Sequence, residues 1–265
     1  MAKKIKTIIL DWAGTTIDYG CFAPVDAFIK AFEAFDITPT MEETRAPMGL
    51  QKRIHIEKML KGERLATLWK EKYNRSHTKD DIDKIYHKFE DALFSVLSDY
   101  TDPLPGVLDA VEAIREMGIS IGSTTGYTQT MMDVVMPLAK KKGYAPDYMV
   151  APDTTGGIGR PYPYMIWHNL EKLVVSSIHE VVKVGDTAAD MEEGKNAGCL
   201  CVGIIKGSSI LGLTESELAE KSSVETAILF EKTKQKYIKS GADYVIEDIT
   251  ILPGLIKELG EKNHA

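Results

Sequence analysis

The chain has 265 residues, of which 44% are hydrophobic and 27% are charged, and its net charge is −7. This composition is typical of a folded, water-soluble protein and excludes wholesale disorder. The longest apolar run, 199–205, falls far short of the roughly 18 residues that cross a membrane. The amino-terminal segment lacks the long apolar stretch of a signal peptide, so we expect a cytoplasmic protein with no membrane partner.

The charges and cysteines narrow the possible partners further. No basic block is longer than Lys140 to Lys142. Binding nucleic acid needs a concentrated positive surface, so we expect no nucleic-acid partner. The three cysteines are few and odd in number, which predicts a reducing compartment and no disulfide framework.

Short apolar runs alternate with longer helical patterns along most of the chain. This alternation predicts right-handed crossovers and an α/β fold with a Rossmann-like, mostly parallel sheet. Ligands bind such sheets at the carboxyl ends of the strands, so polar residues there are the functional candidates. The predicted strands cover 7–10, 119–122, 148–150, 180–184, 199–204 and 243–246, and the predicted helices cover 106–117, 128–142, 162–173, 188–196, 214–239 and 251–262.

Residues 20–102 interrupt this alternation. They contain no convincing strand, and several helical patterns follow one another. We expect an all-helical cap domain over 20–102, inserted into an α/β core domain made of 1–19 and 103–265, with hinges at 19–23 and 100–106. One helical stripe of the insert consists of Ile82, Ile85, Tyr86, Phe89, Ala92, Leu93 and Val96.

Polar residues follow the first two predicted strands. Asp11 ends the first strand and is followed by Gly14 and Thr15. A carboxylate beside a tight turn suits a nucleophile, and we expect the backbone N–H groups of Gly14 and Thr15 to bind a phosphoryl oxygen. The turn after the second strand, Ser123 to Gly126, offers hydroxyl groups that donate hydrogen bonds to phosphate.

Three charged residues lie at the ends of later strands. Arg160, in a Gly-Arg-Pro turn, can donate to two oxygens at once. Asp186 ends the fourth strand and Asp190 lies in the next helical turn, so both can face one Mg²⁺, directly and through water. Taken singly, each is as easily explained as a cap or a surface residue. Their common placement at strand ends indicates phosphoryl chemistry.

The order Asp-x-x-Gly-Thr, Ser/Thr, Arg and Gly-Asp-x-x-x-Asp resembles the haloacid dehalogenase superfamily over essentially the whole chain. The resemblance implies that Asp11 attacks phosphorus and that Mg²⁺ is held by Asp11, the Ala13 carbonyl and Asp186. Phosphatases of that superfamily carry a second aspartate at the position of Ala13, which protonates the leaving oxygen. Alanine there fits either an inactive relative or a reaction whose leaving group is carbon.

A carbon leaving group needs an electron sink, which a lysine imine supplies. Lys52 follows the glycine turn at Gly49, near the start of a helical pattern. There the helix-end potential, Arg53 and partial burial would lower the pKa of Lys52. His55 shares its face and either relays protons or simply lines the helix. From the residues alone, a solvated surface lysine is the commoner explanation.

Further motifs resemble one branch of that superfamily, the phosphonatases, which combine alanine at the acid position with a Schiff-base lysine in the cap. The likeness implies hydrolysis of the P–C bond of phosphonoacetaldehyde to acetaldehyde and phosphate, as part of aminoethylphosphonate degradation. It also implies a homodimer, and the cap helices offer apolar faces for one. The motifs are Asp-Trp-Ala-Gly-Thr-Thr at 11–16, 19–24, Pro-Met-Gly-Leu at 47–50, 122–128, Gly-Arg-Pro-Tyr-Pro at 159–163 and Val-Gly-Asp-Thr at 184–187.

The same likeness implies roles for individual residues. Lys52 would form the imine, and Thr125 and Arg160 would bind the phosphonyl group. Met48, Cys21 and Tyr127 can also be explained as ordinary packing residues. The implied lining of the closed pocket is Gly49, Met48, His55, Cys21 and Tyr127.

Three other functions remain open at this level. A sugar-phosphate phosphatase or phosphomutase has the same fold, although Ala13 argues against it. A metal-free dehalogenase is disfavoured by Asp186 and Asp190. An inactive relative that senses a phospho-ligand would bind its ligand without releasing phosphate.

Overall fold

A computed structural model describes residues 4–262, with the side chains of 261 and 262 left out of the description. A six-stranded sheet lies at its centre, in the order β3-β2-β1-β4-β5-β6, and every neighbouring pair is parallel. The α/β prediction is therefore confirmed. The strands are β1 Thr7–Leu10, β2 Ser120–Thr124, β3 Tyr148–Val150, β4 Val181–Gly185, β5 Leu200–Ile204 and β6 Tyr244–Ile246.

Helices connect the strands and fill the long insertion after β1. The insertion holds α1 Phe22–Glu33, α2 Met41–Arg45, α3 Lys52–Lys61, α4 Glu63–Tyr73 and α5 Lys79–Phe94. The remaining helices are α6 Val107–Glu116, α7 Gln129–Lys141, α8 Tyr164–Lys172, α9 Ala188–Ala197, α10 Glu215–Ala219, α11 Ser223–Lys239 and α12 Leu252–Lys262.

Two sequence predictions were wrong about where elements end. The strand predicted to end at 122 continues to Thr124, because Gly122, Ser123 and Thr124 pair with β3. The single helix predicted over 214–239 is two helices. Each begins with its own capping box, Thr214 with Glu217 and Ser222 with Glu225. Ser222 is therefore the N-cap of a second helix.

Residues 20–102, all of which the structure describes, contain α-helices and no strand. Helix α1 packs along α5, and α3 packs on both α5 and α4. The Phe28 ring lies between the Phe89 ring at 4.2 Å and the His55 ring at 3.8 Å. The predicted apolar stripe of α5 is turned inward, with Ile82, Ile85, Phe89 and Leu93 buried.

The insertion also packs on the sheet domain. One apolar cluster contains Ile8 and Leu10 of β1 together with Phe28 and Phe89 of the insertion. Burying each side chain of this size contributes about 1.5–3 kcal/mol. The loop before α3 lies against the carboxyl edge of the sheet, where a Cβ on Gly126, just beyond β2, would stand 2.8 Å from the Leu50 carbonyl.

Two further observations concern predictions made from composition. The three cysteines are buried and unpaired. No helix within residues 4–262 has both the length and the apolar character needed to cross a membrane.

Candidate active site

Asp11 lies directly beyond β1 at the carboxyl edge of the sheet. Its N–H donates to the Val184 carbonyl at 3.0 Å, and its own carbonyl accepts from Thr16 Oγ1 at 3.0 Å. The prediction that the N–H groups of Gly14 and Thr15 bind a phosphoryl oxygen was wrong. Gly14 N–H donates to the Ile17 carbonyl and Thr15 N–H to the Trp12 carbonyl, so both donors serve the turn and are not free for phosphate.

Arg160 joins the nucleophile to the interior of the sheet domain. Its Nη2 lies 2.6 Å from Asp11 Oδ1 and 3.0 Å from Asp190 Oδ1, and its Nε donates to Glu193 Oε2 at 2.9 Å. Burial opposes the charge of the guanidinium, but these carboxylates outweigh it and raise the pKa of Arg160 well above its usual value. Arg160 therefore stays a cation beside Asp11.

Two buried residues in this network were missed by the sequence analysis. Glu193 Oε2 accepts from Arg160 Nε, from Thr124 Oγ1 at 3.0 Å, and lies 3.3 Å from Lys183 Nζ. Lys183 Nζ also donates to Thr124 Oγ1 at 2.8 Å and pairs with Asp190 Oδ1 at 2.8 Å. A signal for Lys183 was present, because a lysine inside an otherwise apolar strand must find partners in the core.

Asp11, Asp186 and Asp190 form a buried acidic group with ligand atoms within 4.8 Å of one another. Asp186 Oδ2 accepts from Ser209 N–H at 2.8 Å, while its Oδ1 is buried without a hydrogen-bond partner. Burial first, and then the charges of Asp11 and Asp190, raise the pKa of Asp186 well above its usual value. A divalent cation would satisfy a buried, unpartnered carboxylate oxygen in a group of three acids.

The numbers of buried acidic and basic groups in the site also favour a bound divalent cation. The buried carboxylates of the site are Asp11, Asp186, Asp190 and Glu193, and the buried cations paired with them are Arg160 and Lys183. With all four carboxylates ionised, the group would carry two excess negative charges, which a bound divalent metal ion would balance. Burial opposes ionisation of Asp190, but Arg160 and Lys183 outweigh it and lower its pKa.

Lys52 is the first residue of α3 and is only 4% exposed. Its Nζ lies 4.7 Å from the centre of the Tyr127 ring. Burial lowers the pKa of Lys52, the charge of Arg160 adds to that effect, and the charge of Asp11 opposes it. The cation expected to help, Arg53, instead pairs with Asp83 at 2.5 Å on the half-exposed side of the helix.

One narrow cavity gathers most of the predicted residues. Its volume is about 20 Å³, room for about one water molecule. Asp11, Arg160 and Asp186 border it on the sheet side, and Lys52 borders it on the side of the insertion. The complete lining is Asp11, Ala13, Cys21, Met48, Gly49, Lys52, Thr125, Gly126, Tyr127, Arg160, Asp186 and Thr187.

The loop at 48–51 reaches this cavity because two glycines allow a close approach. A side chain at Gly49, which has φ +88°, would collide with Thr187. A Cβ on Gly126 would stand 2.8 Å from the Leu50 carbonyl. A side chain at either position would therefore clash where the loop and the sheet domain meet.

The remaining lining residues differ in what they offer. Thr125 Oγ1 accepts from Tyr127 N–H at 3.1 Å, which leaves its hydroxyl hydrogen for another acceptor. Cys21 has a left-handed φ of 54° and is buried with Met48 in one small cluster that Ala13 also touches. Burial raises the pKa values of Cys21 and Tyr127, so both are protonated.

Two predicted site residues do not line the cavity. His55 lies behind Lys52, with Nε2 2.8 Å from the Thr44 carbonyl and its ring on Phe28. Burial, and then the charge of Lys52, lower the pKa of His55 well below its usual value, so it is neutral. Asp190 is held by Lys183 and Arg160 and by Thr187, whose hydroxyl donates at 2.5 Å.

Comparison with known proteins agrees with this fold. A model of the haloacid dehalogenase-like hydrolase family matches residues 5–198. A protein of Bacteroides fragilis named phosphonoacetaldehyde hydrolase is 48% identical over 99% of this chain and 100% of its own. A bifunctional phosphonoacetaldehyde hydrolase/aminoethylphosphonate transaminase of Clostridioides difficile is 45% identical over 96% of this chain, which spans 40% of that longer protein.

A solved structure resembles the whole fold. The crystal structure of a phosphonoacetaldehyde hydrolase-like protein from Oleispira antarctica superposes with a TM-score of 0.94 at 32% identity, covering 99% of this chain and 95% of that one. The chain belongs to the haloacid dehalogenase-like hydrolases and, within them, to the phosphonoacetaldehyde hydrolase family. It is therefore a hydrolase.

Proposed function

We propose that this enzyme hydrolyses the P–C bond of phosphonoacetaldehyde, giving acetaldehyde and phosphate. The observation that carries the proposal is the placement of Lys52 in the same buried cavity as Asp11. An amine there can form an imine with the aldehyde carbon of the substrate, which gives the electron pair of the P–C bond an acceptor. The names of the relatives support the same substrate.

Lys52 begins the reaction. Its neutral amine adds to the aldehyde carbon, and loss of water gives an imine. Burial favours the neutral amine because it penalises the ammonium form. Protonation of the imine nitrogen then makes it an acceptor for the electron pair of the P–C bond.

Asp11 completes the bond cleavage. Its carboxylate oxygen attacks phosphorus, the P–C bond breaks, and the electron pair moves into an enamine on Lys52. Protonation of the enamine carbon and hydrolysis of the imine release acetaldehyde, and a second water cleaves the aspartyl phosphate. Arg160 and Thr125 would donate hydrogen bonds to the phosphonyl oxygens.

Ala13 fits this chemistry. The leaving group is an enamine carbon, so no acid is needed where phosphatases protonate an oxygen. The Ala13 methyl group packs near Cys21 and Met48, which keeps that side of the cavity apolar.

For the metal we propose Mg²⁺, held by Asp11, Asp186 and the Ala13 carbonyl, with Asp190 acting through water. The unpartnered Asp186 Oδ1 and the excess of buried carboxylates support this set. Bound Mg²⁺ would neutralise charge on the phosphonyl oxygens.

We propose that residues 20–102 form a cap domain that opens and closes over the core made of 1–19 and 103–265. The cavity is too small for the substrate, and the insertion supplies Lys52 to it. Substrate entry therefore requires the loop at 48–51 to part from the sheet domain, and closure brings Lys52 to Asp11 and excludes water.

We propose a homodimer with no further macromolecular partner. The exposed aromatic side chains that could form a dimer interface lie on the sheet domain, not on the insertion. Tyr162 stacks on Tyr164, and Trp167 stands edge-on to Tyr164. These rings are 41–56% exposed, whereas the insertion has only Met41 and Phe94 as exposed large apolar side chains. Exposed clusters of this kind mark association surfaces.

Phosphate release from phosphonoacetaldehyde in the presence of Mg²⁺ tests the proposal. We expect turnover in the parent protein, none in Lys52→Ala, and parental turnover in Lys58→Ala, which removes an exposed lysine from the same helix. Activity on phosphate esters without release from phosphonoacetaldehyde would favour the phosphatase alternative.

A further inference from the structure

Arg45, the last residue of α2, occupies an unusual position between the insertion and the sheet domain. Its Nη1 donates to the Gly20 carbonyl at 2.7 Å and to the Ser209 carbonyl at 3.2 Å. Its guanidinium carbon lies 4.9 Å above the Phe22 ring. Among the side chains of residues 4–260, no carboxylate forms an ion pair with this guanidinium, and its Nε and Nη2 are buried without hydrogen-bond partners.

The backbone of Ser209 contacts Arg45 and Asp186 through two consecutive peptide groups. Its carbonyl accepts from Arg45, and its N–H donates to Asp186 Oδ2 at 2.8 Å. That hydrogen bond occupies Oδ2 and leaves Oδ1 of Asp186 buried without a partner, and the Asp186 carboxylate belongs to the buried acidic group with Asp11 and Asp190. The orientation of Asp186 thus depends on where the Ser209 loop lies.

The loop is built to receive Arg45. Gly212 has φ +68°, and a Cβ there would stand 3.1 Å from Arg45 Nε. Gly20, whose carbonyl accepts from Arg45, donates its own N–H to Gly207 at 2.7 Å. Arg45 therefore binds the core loop directly through Ser209 and indirectly through the chain segment that enters α1.

We propose that Arg45 is a positioning residue that couples docking of the insertion to the orientation of the metal ligand Asp186. When the insertion is seated, Arg45 holds the Ser209 carbonyl, which restrains the backbone at Ser209 and so the N–H that binds the Asp186 carboxylate. When the insertion is displaced, the contact to Ser209 is lost and Asp186 is less well placed for a cation. This inference rests on the proposed function for the metal and the cap movement.

Mg²⁺ affinity separates this role from a purely electrostatic one. Removing a cation near an acidic site strengthens the binding of a second cation by Coulomb's law alone. Loss of a positioning contact weakens that binding instead. The two explanations therefore predict opposite signs for the same substitution.

The experiment measures Mg²⁺ binding to the full-length protein by calorimetry, without substrate, in Arg45→Met, Arg45→Lys and the control Arg64→Met. Arg64 pairs with Glu43 at 2.6 Å on the exposed side of the same segment. We expect about tenfold weaker Mg²⁺ binding in Arg45→Met, a smaller loss in Arg45→Lys and parental binding in Arg64→Met. Thermal unfolding confirms that each variant is folded.

Unchanged or tighter Mg²⁺ binding in both Arg45 variants overturns the proposal. If Arg45→Met does not fold, Arg45→Lys decides by the same criterion. The measurement needs no turnover, so it remains informative if phosphonoacetaldehyde is not the substrate. Absence of Mg²⁺ binding in the parent protein would contradict the metal assignment and the coupling together, whereas parental binding with no turnover would contradict the substrate alone.

Discussion

Arg160 Nη2 lies 2.6 Å from Asp11 Oδ1, so the proposed nucleophile and the proposed phosphonyl-binding cation are in direct contact. The contact holds the Asp11 carboxylate at the carboxyl edge of the sheet, while burial raises its pKa and Arg160 opposes that rise. An incoming phosphonyl group would share the guanidinium with Asp11.

Substitution of Arg160 tests this relationship. Arg160→Lys keeps the charge, but a single ammonium cannot reach Asp11 and Glu193 together. We expect kcat/KM for phosphonoacetaldehyde to fall about 10²- to 10³-fold. Arg115→Lys, which alters an exposed pair with Asp147, is the control. Parental kcat/KM in Arg160→Lys would show that Arg160 does not contact the substrate.

Glu193→Gln tests the support behind Arg160. The substitution removes the charge at the oxygen on which Arg160, Thr124 and Lys183 converge. Because buried cations then lack part of their compensation, we expect the free energy of unfolding to fall by about 3 kcal/mol. Urea unfolding measures it, with the exposed neighbour Glu192→Gln as control. Equal loss in both variants would contradict a special role for Glu193.

Removal of the metal should affect both activity and stability. The site holds more buried carboxylates than buried cations, so Mg²⁺ at about 100 times its Kd would stabilise the folded protein by about 2.7 kcal/mol. We expect EDTA to abolish phosphate release and lower Tm, and Mg²⁺ to restore both. Asp186→Asn should lose the Mg²⁺-dependent rise in Tm, while the exposed Asp109→Asn should keep it. Full activity in EDTA would favour the metal-free alternative.

Asp18 gives a prediction for stability against pH. It accepts from the N–H groups of Phe22 and Ala23, and burial raises its pKa to about 7. The folded state therefore holds this proton more tightly than the unfolded state, whose value is 3.8. Its contribution is full below about pH 4 and is lost as the pH rises through 7.

We therefore expect Tm of Asp18→Asn, relative to the parent protein, to rise between pH 5 and pH 8. Asp26→Asn, an exposed position within α1, whose first N–H groups Asp18 accepts from, should show no such trend. A constant difference in Tm across this range would mean that Asp18 is ionised throughout.

Lys52 gives a prediction for activity against pH. Its pKa is lowered from 10.5 by burial, and imine formation needs the neutral amine. As the pH falls, kcat/KM should decline with a midpoint below 10.5. A midpoint at the ordinary lysine value would contradict an activated Lys52.

Much of the fold could be predicted from the sequence because each strand is a short apolar run between turn residues. The break at 220–222 was missed because helical patterning continues across it, although the sequences Thr-x-x-Glu at 214–217 and Ser-x-x-Glu at 222–225 signal two helix starts. The end of β2 was missed because hydroxyl residues resemble a turn when read locally.

Part of the site could also be predicted from the sequence, for a different reason. Asp11, Arg160 and Asp186 follow strands, and parallel strands bring their carboxyl ends together. Glu193 and Lys183 were missed because their contacts join α9, β4 and β2, and no local pattern specifies such contacts. His55 shares a face with Lys52 in sequence, but its partner is the Thr44 carbonyl, away from the cavity.

Trapping of the imine tests the central claim most directly. The protein is incubated with phosphonoacetaldehyde and borohydride, digested, and mapped by mass spectrometry. We predict loss of activity only when substrate and borohydride are present together, with the added mass on the peptide that contains Lys52 and none in Lys52→Arg. Full activity after this treatment, or a modification confined to other lysines, would contradict the role of Lys52.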